Sequence, residues 1–196
     1  CGDGSLYSSK EHRLESELKK YPRKNLIKMA YYLNYSNNCE KLLEEVTKDF
    51  KTEYNKKVIR FKTKNQVRAK GKWLYDLFKS LGAGKSKEWF VPIQIISASR
   101  RIRIEWLRAF FDDEAHVSKL KKRIVLNIVN KRGLIQIQKL LEGLNIESRL
   151  FGPYRYKKYE SYHLSIYGDY IKQDYRTIGF NEPNKQKTLS GLVSII

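Results

Sequence analysis

The chain is short of acid, thiol and imidazole, and each shortage excludes something. Only 21 Asp and Glu stand against 40 Lys and Arg in 196 residues, for a formal net charge of +19. Self-repulsion of that size works against a compact fold unless a polyanion neutralises it, so nucleic acid is the leading partner. Two cysteines, Cys1 and Cys39, make no disulfide framework, and His12, His116 and His163 are too scattered for a Cys/His zinc site. There is no long apolar run and no basic helix with an aliphatic face, which sets an anionic membrane aside. With few thiols and no leader visible, we expect an intracellular, non-secreted protein of cytoplasm, nucleoid or organelle matrix. What is plentiful is core material, since 41% of residues are hydrophobic and 13% aromatic, so the chain is globular and not disordered.

The clearest segment is Glu105-Trp-Leu-Arg-Ala-Phe-Phe-Asp-Asp-Glu-Ala115, whose apolar spacing reads as a packed helix ending in three acids. Acids at a helix C-terminus oppose the macrodipole by ~0.3–1 kcal/mol each, so their clustering calls for a reason such as a bound cation. After it the pattern predicts a strand over 123–130, a helix over 134–144, strands to about 167 and a helix over 169–178. The first half has the same order: strand 29–34, helix 40–50, strands 58–64 and 66–70, and helix 72–81. Residues 10–28 are an insertion whose form, helix or extended hairpin, the pattern leaves open.

The order repeats measurably. Gly71 and Gly82 bracket one helix and Gly168 and Gly179 the other, with an offset of 97 residues in both cases. Asn34 and Asn130, each closing a strand, are offset by 96. A duplicated α/β unit follows, and two copies closing on one another suit it better than an open array. The stretch around Phe90-Val-Pro-Ile-Gln-Ile95 joins the halves, which we place at 1–97 and 98–196.

Leu107-Arg-Ala-Phe-Phe-Asp-Asp-Glu-Ala115 is similar to the nine-residue motif of the LAGLIDADG homing endonucleases, and Cys1-Gly-Asp-Gly-Ser5 resembles the end of a first copy, its helical front upstream of residue 1. Ala115 replaces the usual terminal glycine, and Asp113 stands where a small residue is usual. The resemblance, to the monomeric two-motif type, covers the whole chain. It implies an α+β fold of two pseudo-two-fold αββαββα units, with two antiparallel sheets forming a DNA-binding saddle. It also implies that the last acid of each motif, Asp3 and Glu114, binds Mg²⁺ or Mn²⁺. Asp112 and Asp113 could also ligate, with Asp112 better suited to bracing the helix.

Phosphodiester hydrolysis needs an activated water and stabilisation of the leaving oxygen, which divalent metal on a few carboxylates supplies. Gly82-Ala-Gly-Lys-Ser86 is not a P-loop, because Lys79 stands where its first glycine belongs. The resemblance instead gives Lys85 and Lys185 a place beside the scissile phosphates, against the plain alternative of solvated surface lysines. Asn34 and Asn130 fall where relatives carry a residue that positions water or metal; a turn or cap role competes.

Strand parity selects the DNA face. Arg60, Lys62 and Lys64 share one side of their strand and Ile59 and Phe61 the other, while Gln66, Arg68 and Lys70 oppose Val67 and Ala69. In the second half Asn127, Arg149, Ser161, His163, Ser165 and Tyr167 are the candidates; His116 reads as a bystander near Glu114. The two faces differ, which predicts a monomer acting on a long, asymmetric site in double-stranded DNA. An RNA-binding intron maturase and a catalytically inactive DNA-binding module are the alternatives.

Overall fold

The computed structural model of the protein describes residues 5–8, 31–156 and 159–196. They fall into two compact units that divide between Ala83 and Gly84. In the first unit, strands β1 (Ser5–Ser8), β2 (Tyr31–Ser36), β3 (Val58–Phe61) and β4 (Gln66–Lys70) pair antiparallel in the order β1-β2-β4-β3. Helices α1 (Glu40–Thr52) and α2 (Lys72–Ser80) cover one side. Leu33, Val67 and Ala69 of the sheet are buried against Leu43, Phe50 and Leu74 of the helices. Apolar side chains at alternate strand positions and at three- or four-residue steps in the helices produce that single seam.

The second unit holds α3 (Ile93–Ile96), α4 (Arg100–Glu114), β5 (Ala115–Ser118), β6 (Arg123–Ile128), α5 (Lys131–Glu142), β7 (Arg149–Tyr156), β8 (Tyr159–Tyr167), α6 (Asp169–Thr177) and α7 (Pro183–Val193). Its sheet order, β5-β6-β8-β7, is that of the first unit. From α4 to α6 the elements run αββαββα, as the resemblance implies, and the fold is α+β with two antiparallel sheets. Its core joins Leu107 and Phe111 of α4 to Ile124 and Leu126 of β6, Leu164 and Ile166 of β8, and Leu134, Ile137 and Leu141 of α5. Among the described residues no helix is long and apolar enough to cross a membrane.

Two sequence readings need correction. The strand expected over 58–64 stops at Phe61, and Lys62–Lys64 form a 3-10 turn closed by Asn65 at a φ of 44°. Asn tolerates that left-handed conformation, and there the strand turns into β4. Asn34 and Asn130 are not equivalent either. Asn34 lies within β2, paired with Ser5 and Arg68, whereas Asn130 lies beyond β6 and caps α5. The helix α7 was not anticipated, although Glu182 and Pro183 form a proper start: the Glu182 carboxylate accepts the N–H groups of Asn184 and Lys185.

Trp89 is held in the second unit by its surroundings. Asn130 Nδ2 donates to its carbonyl at 2.6 Å, and its ring lies 5.3 Å from that of Phe110. A Cβ on Gly133 of α5 would collide with that ring, so the close approach requires glycine there.

Asp174 of α6 is fully buried, and neither side-chain oxygen has a hydrogen-bond partner among the described residues. Burial pushes its carboxyl up to about 8, with the charge of Arg108 opposing. The folded chain therefore keeps the neutral acid while the unfolded chain ionises near pH ~4. Stability from this group is complete below that pH and is lost as pH rises to about 8, at a slope of at most ~1.4 kcal/mol per pH unit. Urea unfolding of Asp174→Asn should show a flatter decline across this range than the unsubstituted protein. Parallel declines would contradict the assignment.

Candidate nucleic-acid faces and an acidic helix end

Each sheet has a side that its helices leave open. In the first unit, pairing places Asn34 and Ile59 beside Arg68, Tyr32 beside Lys70, and Ser36 and Phe61 beside Gln66. Cross-strand partners face the same way, so these residues lie opposite the fully buried Val67 and Ala69. Gln66, Arg68 and Lys70 are on the open side, as parity predicts. Arg60 is not. It pairs with Val67 on the helix side, and its Nη2 donates to the Glu40 carboxylate at 2.7 Å. Ile59, 47% exposed, and Phe61 take the open side instead. Lys62 and Lys64 are exposed in the turn, off the strand altogether.

In the second unit Asn127, Arg149, Ser161, His163, Ser165 and Tyr167 all lie on the open side, opposite Leu126, Leu164 and Ile166. Ser165 is wholly buried, with Arg123 Nη1 3.5 Å from its hydroxyl, so it supports the face and does not present it. Arg123 also donates to the Tyr167 hydroxyl at 3.0 Å. Burial, then the charges of Arg123 and Lys121, holds His163 below its ordinary value, which favours the neutral ring. Parity missed Arg123, Phe151, Tyr154 and His116. Phe151 pairs with His163, His116 with Val125, and the Tyr154 and His163 rings lie 4.4 Å apart. A bulge between Phe151 and Tyr154 puts both on one face although they are three residues apart. Gly152 inside it has a φ of 119°, and a Cβ there would come 2.9 Å from the Ser161 carbonyl. Glycine at 152, ahead of Pro153, was the available signal.

The motif helix α4 ends in Asp112, Asp113 and Glu114, and β5 starts at once with buried Ala115. Asp112, 3% exposed, accepts the backbone N–H groups of Asn181 and Glu182 at 2.8 and 2.9 Å through Oδ1. Burial raises its pKa even against those two donors. Lys185 on the first turn of α7 donates its ammonium to the carbonyls of Phe111 and Asp112, satisfying the end of α4. Its pKa is lowered by burial, with Asp113, Asp112, Glu182 and Glu114 pulling the other way. One cation is thus placed among the acids of the motif. Asp113 and Glu114 are partly exposed, and partly exposed carboxylates suit a hard cation that retains several waters. Among the described residues there is no group of three or more His, Cys, Asp or Glu that could hold a metal.

The other candidates fare differently. Asp3 lies outside the described residues. Lys85 is exposed in a turn whose carbonyl accepts from Glu88 and Trp89. Asn34 is buried and accepts from Arg68 Nε at 2.6 Å. Asn130 is 4% exposed, accepts the Gly133 N–H and donates to the Trp89 carbonyl. The cap reading of Asn130 stands.

Residues 101–179, from the body of α4 to the glycine after α6, match the model of the LAGLIDADG-like domain. The fold of the chain as a whole is that of solved homing endonucleases. A structure of mesophilic variants of the homing endonuclease I-DmoI is similar with a TM-score of 0.66, 18% identity, and coverage of 97% of this chain and 92% of that one. I-DmoI in complex with DNA and Ca gives 0.65 at 19% identity over the same shares. The homing endonuclease I-WcaI bound to its DNA recognition sequence gives 0.50 at 16%, covering 85% and 78%. No curated protein matches the chain in sequence. Within the matched residues the motif-like segment is α4 with its terminal acids. The intron-RNA alternative draws no support from these relatives.

Asp112 carries the positioning of Lys185, because its carboxylate anchors the backbone just before α7. Asp112→Leu leaves the N–H groups of Asn181 and Glu182 without their acceptor, the second of them buried, and should cost about 2–3 kcal/mol in denaturant unfolding. Asp112→Asn keeps the acceptor oxygen and should stay within about 1 kcal/mol. Equal losses in the two variants would contradict the anchoring role.

Proposed function

We propose that the protein is a site-specific endonuclease that hydrolyses both strands of duplex DNA with divalent metal. The observation that carries the reading is the end of α4, where Asp113 and Glu114 stand beside the ammonium of Lys185. The LAGLIDADG-like domain and the sheets' open faces support it. Glu114 and Asp3 are the carboxylates that hold Mg²⁺ or Mn²⁺, one from each proposed half, 98–196 and 1–97. Structures of I-DmoI with DNA have been solved with Ca, Mn and Mg, which fits the same class of ion here. A bound cation of this kind supplies Lewis acidity and a more acidic water at the phosphate.

The chain's own residues do the rest. Lys185, fixed by two carbonyls, offers positive charge where charge builds on the phosphate. Lys85 would serve in the first half. Gln66, Arg68 and Lys70 on one face, and Asn127, Arg149, Ser161, His163 and Tyr167 on the other, meet the major groove. Lysines such as Lys62 and Lys64 add phosphate contacts that raise affinity without reading sequence. The faces differ in charge, which favours a monomer on a long, asymmetric target.

Cleavage selection on a randomised duplex library with Mg²⁺ should yield one long site. Asp3→Asn and Glu114→Gln should each lower cleavage of it by roughly 100-fold or more while binding in Ca²⁺ persists. Undiminished cleavage in both variants would overturn the assignment. Specific binding without any cleavage would instead leave the inactive-module alternative.

A further inference from the structure

Arg68 sits at the middle of β4, between β2 and β3, on the open side of the first sheet. Its guanidinium carbon is 4.8 Å from the centre of the Tyr32 ring and 4.8 Å from that of Phe61. Its Nε donates to Asn34 Oδ1 at 2.6 Å. An arginine side chain ordinarily loses much rotamer freedom when it binds; this one is already stacked between two rings and tethered along its inner edge. What remains to offer is the fork of Nη1 and Nη2, neither of which has a hydrogen-bond partner among the described residues.

We infer that Arg68 is a preorganised guanine reader in the first half of the target site, with Tyr32, Phe61 and Asn34 as its positioning residues. The inference rests on the DNA-cleaving reading of the protein. Guanine presents O6 and N7 side by side in the major groove, and a planar two-donor fork matches that pair. Adenine puts an amino donor in place of O6, cytosine presents a donor, and thymine a single acceptor beside a methyl group. A phosphate contact needs charge but no fixed orientation, and it falls to side chains at the rim of a groove. Arg68 is at the centre of its sheet, and its orientation is what the clamp fixes.

Among the described residues the second half has no counterpart. Aligning Gly71 with Gly168 puts buried Ser165 at the place of Arg68, and its partner on β6 is Val125. The clamp therefore adds to the asymmetry of the target, and Asn34 is a brace for a base-reading arginine.

The test is binding selection on a randomised duplex library in Ca²⁺, with the unsubstituted protein, Arg68→Lys and Tyr32→Leu, each checked by thermal melting. The unsubstituted protein should select a site with a strongly preferred guanine in one half. Arg68→Lys keeps the charge, so the salt dependence of binding should persist while preference at that one position falls roughly 10- to 100-fold. Tyr32→Leu leaves the arginine but opens its clamp, and should weaken the same preference several-fold. Unchanged guanine preference at every position in either folded variant overturns the inference and leaves the endonuclease reading standing. Failure of the unsubstituted protein to select any duplex overturns both.

Discussion

Each antiparallel sheet here is sealed on one side by helices, and the period of two in a strand decides everything that follows from that. Leu33, Val67 and Ala69 in one unit, and Ile124, Leu126, Leu164 and Ile166 in the other, go under the helices. Burying a side chain of this size contributes roughly 1.5–3 kcal/mol, so a one-residue slip of register would forfeit several such contributions at once. The residues between them have no choice but the open side. Tyr32, Asn34, Gln66, Arg68 and Lys70, and likewise Asn127, His163 and Tyr167, form polar faces because their neighbours are needed in the core. A surplus of nineteen positive charges in the chain favours an anionic partner for such faces.

The acidic helix end is a second result of the same packing. Phe110 and Phe111 seat α4 in the core and set where it stops, so the three acids that follow fall at a fixed place. A helix terminus rich in acid is unfavourable by itself. Lys185 offsets this by bonding the terminal carbonyls, and Asp112 in turn secures the backbone that brings Lys185 there. Glu114 and Asp113 are partly exposed beside a half-buried ammonium. The position of Lys185 thus depends on a carboxylate that itself has a supporting role.

Much of this was legible in the residues. The motif helix, its acids and the duplicated element order are written in local spacing, and both sheets have the same strand order. Parity sorted β4 and β8 correctly because Val67, Ala69, Leu164 and Ile166 leave no ambiguity. It failed at Arg60, since an alternation of basic and apolar residues does not say which set is covered. There Glu40, twenty positions away in sequence, neutralises the arginine on the helix side. It failed at Lys62 and Lys64 because Asn65 turns the chain one residue after them. The Asn34–Asn130 match was an accident of spacing between a strand residue and a helix cap. The Arg68 clamp and the union of Lys185 with α4 depend on partners 7 to 74 positions away in sequence, and no local pattern contains them.

The central claim is that the open sheet faces, and not the helix-covered sides, meet DNA. Hydroxyl-radical footprinting with and without a selected duplex reads this directly, because exposed aromatic residues stand on both sides. Phe151 and Tyr154 are on the open face of the second sheet, and Trp73 of α2 and Tyr175 of α6 are exposed on helices. The account predicts that duplex DNA protects Phe151 and Tyr154 and leaves Trp73 and Tyr175 as reactive as before. Protection of Trp73 and Tyr175 with Phe151 and Tyr154 unchanged would contradict it.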